Sequence, residues 1–542
     1  MKVLGITGGI HSCGLALVED GKPIFAFEEE RFTRIKSYKD FQRDYHRYPL
    51  ESLHNALKYF PEHMKGIDYI AGFLPKDRFA DPMFGAIGLR ERTNAPYIEV
   101  SHHESHCNLA YYLSGFEEDT LVVSIDASGN YHSAKYYIGK EGNLNYIDGI
   151  GIYNKSLGHY YSMLTEFLGF KRLKDEGKVV GMASHGNFNQ DLYDVFNDSI
   201  TIEGLHTDPD YNHGEGVPMG KLYEDFYKNY YKKFGSIYKG ETHHLQDIAY
   251  NGQLVFEEKV LSIFNHLHSL YPEIKHIALA GGIFANIKLN RRINELDWVK
   301  EIFVAPPMGD EGLPLGSALT VYKKYNPDFK PFKLDNIFLG TEYSDSDFEY
   351  DKTKFNKRPL NFKELAYDLK EGTIVGWFQG RYEHGPRALC NRSIIADPSV
   401  PGTYKNVNDR LQRNDFMPFA PVVMEERANE VFDITKSPYT AEFMTMLYDT
   451  RGEWQEKIPA VVHPIDKTAR IQIVTKENNP PFHNLISEFN NLTNIPVLLN
   501  TSFNVHGEPI VCHPQEAFVH LENGIVDKLV VNNNIYTKKY DK

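Results

Sequence analysis

Cysteine is scarce in this sequence: Cys13, Cys107, Cys390 and Cys512 are scattered over 542 positions without any C-x-x-C pairing. That spacing suits a reducing compartment better than a disulfide framework. Long apolar runs are also missing, since none approaches the ~20 residues a bilayer span needs, and no membrane association is expected. Met1 leads straight into the strand-like KVLGITGG, without the basic start, apolar core and cleavage site of an export signal, so a cytoplasmic location is expected. Positive charge is in deficit, and a formal net charge of −14 argues against a protein wrapped passively in nucleic acid. Three motifs are absent as well. No G-x-G-x-x-G follows a strand, GEGVPMGK (214–221) misses the spacing of a phosphate-binding P-loop, and SHHESH lacks the H-E-x-x-H order of zinc proteases.

What is present is enough chain for two or more domains and a repeated plan. KVLGITGGIHSCGLALVEDGKPIFAFEEERFTR reads as strand, Gly-rich turn, strand, turn, strand. Residues 121–138, LVVSIDASGNYHSAKYYI, repeat the scheme with a strand ending in Asp126. KHIALAGGIFANIKLNRRINE (275–295) is an apolar strand running into Gly281-Gly282 and then a helix. Glycines there let backbone approach a ligand, and the helix start offers free N–H groups. In this order the units follow the plan of the actin, hexokinase and heat-shock ATPase architecture, with the glycine pair beside a nucleoside. Between about 335 and 365 the chain turns polar and weakly periodic, as a linker or a peripheral excursion would.

Four potential metal ligands can be assembled from the first part of the chain; the plainer alternative is two surface histidines that face solvent. His102 and His106 stand four apart, so on a helix both rings point to one side. Asp126 ends a strand, and Asp310 lies in APPMGDEGLPLGSAL. Imidazole with carboxylate suits Fe(II), Mn(II) or Zn(II), whereas Cys107 reads as a small buried filler. In KDEGKVVG, Glu176 and Lys178 flank Gly177 in a charged turn that either touches ribose or phosphate or is simply solvated. Further on, GRYEHGPRALCNRSIIADP places Arg381, Arg387 and Arg392 among small residues. Arg413, Arg470 and the run Asn500, Thr501, Ser502 and Asn504 add to them. Arginine forks match phosphate oxygens, which implies an anionic substrate of several phosphates; surface salt bridges are the plainer alternative.

GRYEHGPRALCNRSIIADP, DFMPFAPVV, PAVVHPIDKTARIQIV, IPVLLNTSFNVHGEPIV, the opening GIHSCGLALVEDG…EEERFTRIK and HHESH together resemble the NodU-type O-carbamoyltransferases, over nearly the whole chain. The resemblance implies an α/β protein. A Kae-like domain of the actin/hexokinase (ASKHA) architecture would span 1–340, and a linker with a YrdC-like carbamoyl-adenylate-forming domain 341–542. In such enzymes carbamoyl phosphate and ATP give carbamoyl-adenylate and pyrophosphate. The carbamoyl group then reaches an acceptor hydroxyl beside a metal, with ATP as co-substrate, Mg2+, and Fe(II) or another divalent ion as cofactors. By the resemblance His102, His106, Asp126 and Asp310 are the metal ligands, and His11 lies by the transferred carbamoyl group as base or positioning residue. Glu176, Lys178, Gly281, Gly282, Asn286, Asn500 and Ser502 would contact nucleotide. Arg387, Arg392, Arg413 and Arg470 would hold carbamoyl phosphate, with His11, Lys178 and Arg387 expected as the catalytic residues. The chain departs from the family pattern at Cys390, where Gly is usual in RALGNRS, at HPIDKTAR in place of HVDGTAR, and at Leu411, where Lys is common. A homodimer is left open.

The acceptor is a sugar, a small natural product, or a hydroxymethylated base in DNA. YKDFQRDYHRY (38–48) and YEDFYKNYYKKFGSIYKG (223–240) interleave aromatic and basic residues. That pattern can stack on bases and pair with phosphates, and equally marks amphipathic helices with rings packed inward. Two rival classes are a sugar kinase of the same architecture and a non-catalytic nucleotide-binding regulator.

Overall fold

The structure, a computed structural model, describes all residues except 9–11, 37–47, 75–83, 86, 90, 152–155, 201, 203–227, 229, 231, 239–243, 414–417 and 540–542. His11 and most of the aromatic-basic runs 38–48 and 223–240 therefore lie outside the described residues. The protein is mixed α/β and divides into two compact units. One is Val100–Lys333; the other joins Met1–Glu99 to Leu334–Lys542.

Each unit holds a five-stranded sheet of the same plan. In the discontinuous unit, β1 (Lys2–Thr7), β2 (Gly14–Glu19) and β3 (Lys22–Glu28) form an antiparallel meander, and β4 (Tyr69–Gly72) and β5 (Tyr97–Glu99) continue it parallel to β1, in the order β3-β2-β1-β4-β5. In Val100–Lys333, β6 (Thr120–Gly129), β7 (His132–Lys140), β8 (Asn143–Gly151), β9 (His276–Ala280) and β10 (Glu301–Val304) repeat this as β8-β7-β6-β9-β10. The strand-turn-strand repeat read from the sequence is thus a repeat of topology, that of the actin and hexokinase architecture. Residues 120–125 of β6 are buried throughout, as a central strand neighbouring parallel β9 requires, and they read as an apolar run rather than an alternation. The β6–β7 turn places Asn130 and Tyr131 at φ 46° and 63°, the left-handed pair that matches strand twist in tight hairpins.

The C-terminal part of the discontinuous unit adds a mixed eight-stranded sheet. Its strands are β11 (Phe355–Pro359), β12 (Val375–Phe378), β13 (Arg392–Ala396), β14 (Ala420–Met424), β17 (Gln472–Val474), β18 (Val497–Ser502), β19 (Lys528–Val531) and β20 (Asn534–Lys538). They run in the order β11-β20-β19-β12-β13-β18-β14-β17, and a small ribbon of β15 (Tyr448–Asp449) and β16 (Thr468–Ala469) stands apart. Helix Pro480–Thr493 begins with Asn479 accepting the Phe482 N–H and two prolines in its first turn. It buries Phe482, Leu485, Ile486 and Phe489, the i, i+3, i+4, i+7 stripe of a core-facing helix. The stretch expected as a linker ends in an element: β11 pairs antiparallel with β20. Phe355 alone of its residues is buried, and the exposed Lys357, Arg358 and Pro359 suit a sheet edge. That one-sided burial is why the segment looked aperiodic.

Residues 1–99 belong with the C-terminal part through specific bonds. Arg34 donates to the carbonyls of Ile510 and Pro509 at 2.7 Å each, Arg381 to Ile24 at 2.7 Å, and the Ala26 N–H to Leu339 at 3.0 Å. Among the described residues no helix is long and apolar enough to cross a membrane.

Candidate functional site

The helix His102–Ser114 starts at Ser101, whose hydroxyl accepts the Glu104 N–H at 3.3 Å. His102 is its first residue and His106 follows one turn later, so both rings share a face. Gly129, at the end of β6, leaves room for the His102 ring, because a Cβ there would sit 2.2 Å from Cδ2. The helix packs on Leu313–Tyr325 through small residues. Ser105 and Ser317 hydroxyls lie 2.8 Å apart, and a Cβ at Gly316 would meet the Ser105 carbonyl at 2.1 Å. This close approach carries Asp310, in the turn just before that second helix, to the imidazoles.

His102, His106, Asp126 and Asp310 converge with their ligand atoms within 4.8 Å of one another. His102 Nε2 lies 3.7 Å from Asp126 Oδ2 and 3.6 Å from Asp310 Oδ1, and His106 Nε2 lies 3.4 and 3.5 Å from the same atoms. Donors about 2.0–2.2 Å from a shared centre at near-tetrahedral angles stand about 3.3–3.6 Å apart, so the spacing fits a divalent cation. His106 is fully buried, and among the described residues neither of its ring nitrogens makes a hydrogen bond of ordinary geometry. Burial disfavours its charge, yet Asp126 and Asp310 outweigh that and raise its pKa to about 9. Burial likewise opposes the Asp126 carboxylate, and the two imidazoles hold its carboxyl well below the usual range. Carboxylates that raise the basicity of so buried a histidine make a site that favours positive charge. The donor set, two imidazoles and two carboxylates, suits a borderline or hard divalent ion.

The neighbours hold these ligands. Asp126 Oδ1 accepts the Ala127 N–H at 2.6 Å, and Oδ2 accepts the Gly282 N–H at 3.2 Å. Gly281 has φ 110°, and a Cβ there would lie 2.2 Å from the Ile125 carbonyl. The glycine pair therefore sets its backbone directly against one of the four converging groups. A 3-10 turn, Gly282–Ala285, intervenes before the helix Ile287–Asn294. Asn286 caps that helix, accepting the Leu289 N–H at 3.1 Å, and donates to Gln253 Oε1 at 3.0 Å, so its side chain serves the fold. Cys107 is buried with its thiol pushed well up by burial, as a filler would be.

KDEGKVVG is not a turn. Helix Glu176–Ala183 occupies it, because Val179, Val180, Met182 and Ala183 have a core to enter. Glu176 accepts from the Ser162 hydroxyl at 3.1 Å and from the Leu173 N–H. Lys178 pairs with Asp175 at 3.3 Å and lies 5.7 Å from the Phe170 ring.

In the other unit the structure brings Arg413 to the expected polar run. It donates to Thr501 Oγ1 at 2.8 Å, Ser502 Oγ at 2.9 Å and the Asn504 carbonyl at 3.3 Å. Asn500 Nδ2 bonds the Ala388 carbonyl at 3.2 Å and Gln472 Oε1 at 2.8 Å, and its buried Oδ1 makes no hydrogen bond among the described residues. Arg387 and Arg470 are half-buried. Arg392 stands differently from the expectation. It is 0 % exposed, stacks 3.5 Å from the Phe378 ring, and donates to the carbonyls of Gln379, Asn391, Gly380 and Thr341. With both terminal nitrogens committed to carbonyls, it is a strut of the Glu383–Arg392 loop rather than a phosphate contact. Cys390 has φ 73°, which is why glycine is the natural residue there.

Sequence reading missed the rest of this loop's frame. Buried Glu383 accepts the N–H groups of Leu389, Asn391 and Arg392 at 2.5, 3.3 and 3.2 Å. Glu28 bonds Arg31 at 2.8 Å and the Gly385 N–H at 2.6 Å and faces His384 at 3.1 Å; Arg31 in turn donates to the Gly385 carbonyl at 2.9 Å. The EEERF and EHGPR strings were the available signal, but nothing local joins them.

Comparison with known proteins matches residues 82–319 to the family Carbamoyltransferase N-terminus and 366–538 to Carbamoyltransferase C-terminus. The chain is 31% identical to an uncharacterised protein of Methanocaldococcus jannaschii, covering 99% of both. It is 29% identical to nodulation protein NolNO of Sinorhizobium fredii over 99% of this chain and 83% of that one. It is 34% identical to the 3'-hydroxymethylcephem-O-carbamoyltransferase of Amycolatopsis lactamdurans over 49% of this chain and 50% of that one.

Proposed function

The chain belongs to the carbamoyltransferase family, and from that premise we propose an ATP-dependent O-carbamoyl transfer by way of carbamoyl-adenylate. Carbamoyl phosphate, ATP and one water give carbamoyl-adenylate, phosphate and pyrophosphate; an acceptor hydroxyl then takes the carbamoyl group and AMP leaves. Carbamoyl phosphate is a poor donor to a neutral alcohol, and adenylation supplies the better leaving group. The observation that carries the reading is the convergence of His102, His106, Asp126 and Asp310 on one point beside the Gly281–Gly282 backbone. A divalent cation held there, Fe(II) or another, would supply Lewis-acid polarisation of a carbonyl or phosphoryl oxygen.

The chain's own residues do the remainder. Arg387 and Arg470 bind the anionic donor, with Mg2+ accompanying ATP. Arg413, oriented by Thr501, Ser502 and Asn504, presents a guanidinium whose direction is preset. Asn500, with a buried Oδ1 free of hydrogen bonds, offers an acceptor to a nucleotide or carbamoyl N–H. Glu176 and Lys178 open a helix and contact nucleotide from its N-terminal end. His11 takes the acceptor's proton or positions the carbamoyl group. We take the acceptor to be an alcohol of the hydroxymethyl type, the chemistry that the cephem enzyme's name carries. Sugars and hydroxymethylated DNA are to be tested beside it.

Carbamoyl-phosphate-dependent exchange of pyrophosphate into ATP tests the first step, with exchange expected from folded, cation-loaded protein. ADP release without a need for carbamoyl phosphate would identify a sugar kinase instead, and nucleotide binding without exchange a regulator. For the acceptor, products from a hydroxymethyl natural product, a sugar and 5-hydroxymethylcytosine DNA are weighed for the gain of one carbamoyl group.

A further inference from the structure

The helix His102–Ser114 carries three imidazoles in its first five residues, and only two of them belong to the cation cluster. The third, His103, is buried and bonded at both ring nitrogens. Nδ1 lies 2.8 Å from Ser124 Oγ, and Nε2 lies 3.0 Å from the His132 carbonyl. A carbonyl can only accept, so Nε2–H donates to it, and Nδ1 accepts from the Ser124 hydroxyl. Ser124 stands on β6 two residues before Asp126, and alternation along a strand puts both on one face. His132 opens β7. One imidazole therefore bolts the first turn of the ligand helix to two strands, one of which delivers a carboxylate ligand.

That turn needs a bolt. His102 is the first helical residue, where the N–H groups lack intrahelical partners and helices fray. Ser101 accepts the Glu104 N–H at 3.3 Å and Asn130 Oδ1 accepts the His102 N–H at 2.7 Å. Both steady backbone: Asn130 ties the helix start to the turn just past the end of β6, and neither reaches the strand beside Asp126.

We propose that His103 is a positioning residue of the cation site. Through Ser124 and the His132 carbonyl it fixes the spacing and rotation of the helix against β6, so that His102 and His106 meet Asp126 and Asp310 at ligand distance. Partners that orient ligands in this way typically govern metal affinity by about 10–100-fold. The inference rests on the cation reading given above.

The test uses the full-length protein stripped of metal and titrated with Co2+, following heat and the visible d–d absorption. His103→Ala and Ser124→Ala are each expected to bind Co2+ about 10–100-fold more weakly, with a changed d–d band. His103→Gln keeps an Nε2 donor for the His132 carbonyl and is expected to recover part of the affinity. Thermal unfolding of the cation-free proteins shows which variants fold. Unchanged affinity and spectrum in folded His103→Ala overturn the inference while leaving the cation reading intact. If that variant does not fold, Ser124→Ala decides by the same criterion. Wild-type protein that takes up no Co2+ overturns the cation reading, and the inference with it.

Discussion

In Val100–Lys333 two imidazoles face two carboxylates, and the four groups include no lysine or arginine. In the other unit Glu28 and His384 also meet in a buried cluster, but there the guanidinium of Arg31 lies beside Glu28 and donates to the Glu383 and Gly385 carbonyls. The side chains are alike and their chemistry diverges on the source of positive charge. Where arginine is built in, its Nε donates to the Glu28 carboxylate and Nη2 to the Glu383 and Gly385 carbonyls, and the cluster is a frame. Where it is not, lone pairs converge on a point and the cluster asks for an ion. Buried histidine and glutamate therefore become informative once their counter-charge is located.

The largest effect that would break this contrast is loss of a ligand. Asp126→Asn or His106→Ala is expected to weaken divalent-cation binding by more than about 100-fold, beyond what supporting residues typically cost, and to abolish carbamoyl transfer. Calorimetry and a transfer assay measure both. Arg31→Ala is expected to leave cation affinity unchanged while costing the discontinuous unit about 3–5 kcal/mol, because it strands Glu28 uncompensated in the interior. Denaturant unfolding of the two variants side by side separates frame from ion site.

The clusters should also respond oppositely to pH. Burial opposes the Glu28 charge, but Arg31 and His384 depress its pKa to about 2. Its stabilisation is thus full above the ordinary glutamate pKa and is lost as pH falls from about 4.5 toward about 2. His106 is raised to about 9. In protein stripped of cations its contribution is full below about pH 6.5 and is lost as pH rises through about 9. A divalent cation should abolish the alkaline loss and leave the acid loss untouched; unfolding midpoints from pH 3 to pH 10, with and without Mn2+, report both. The smallest effect concerns the loop that the arginine cluster frames. Cys390→Gly relieves a left-handed backbone by about 1 kcal/mol and forfeits a buried thiol worth about as much, so its stability should stay within about 1 kcal/mol of wild type. Cys390→Val, β-branched at φ 73°, should fall clearly below it.

Much of this was legible in the sequence. The apolar runs and glycine turns of β1, β2, β6, β7 and β9 announced a duplicated sheet, and SHHESH with Asp126 and Asp310 named four side chains that the structure gathers. Other features were not. Glu176–Ala183 read as a turn because its helix is short and charged at one end, and β11 read as linker because only Phe355 turns inward. Arg392 read as a phosphate contact because sequence cannot show which carbonyls will surround a guanidinium.

Strand runs and the one-faced pair His102 and His106 follow from the sequence by itself, since side-chain direction along a strand or helix is set by local backbone geometry. The tertiary structure alone decided that His103 turns to the sheet while its neighbours turn to the acids, and that Glu28 and Arg31 meet Gly385. Burial and pairing are conferred by residues far away along the chain, and no local pattern records which of them will arrive.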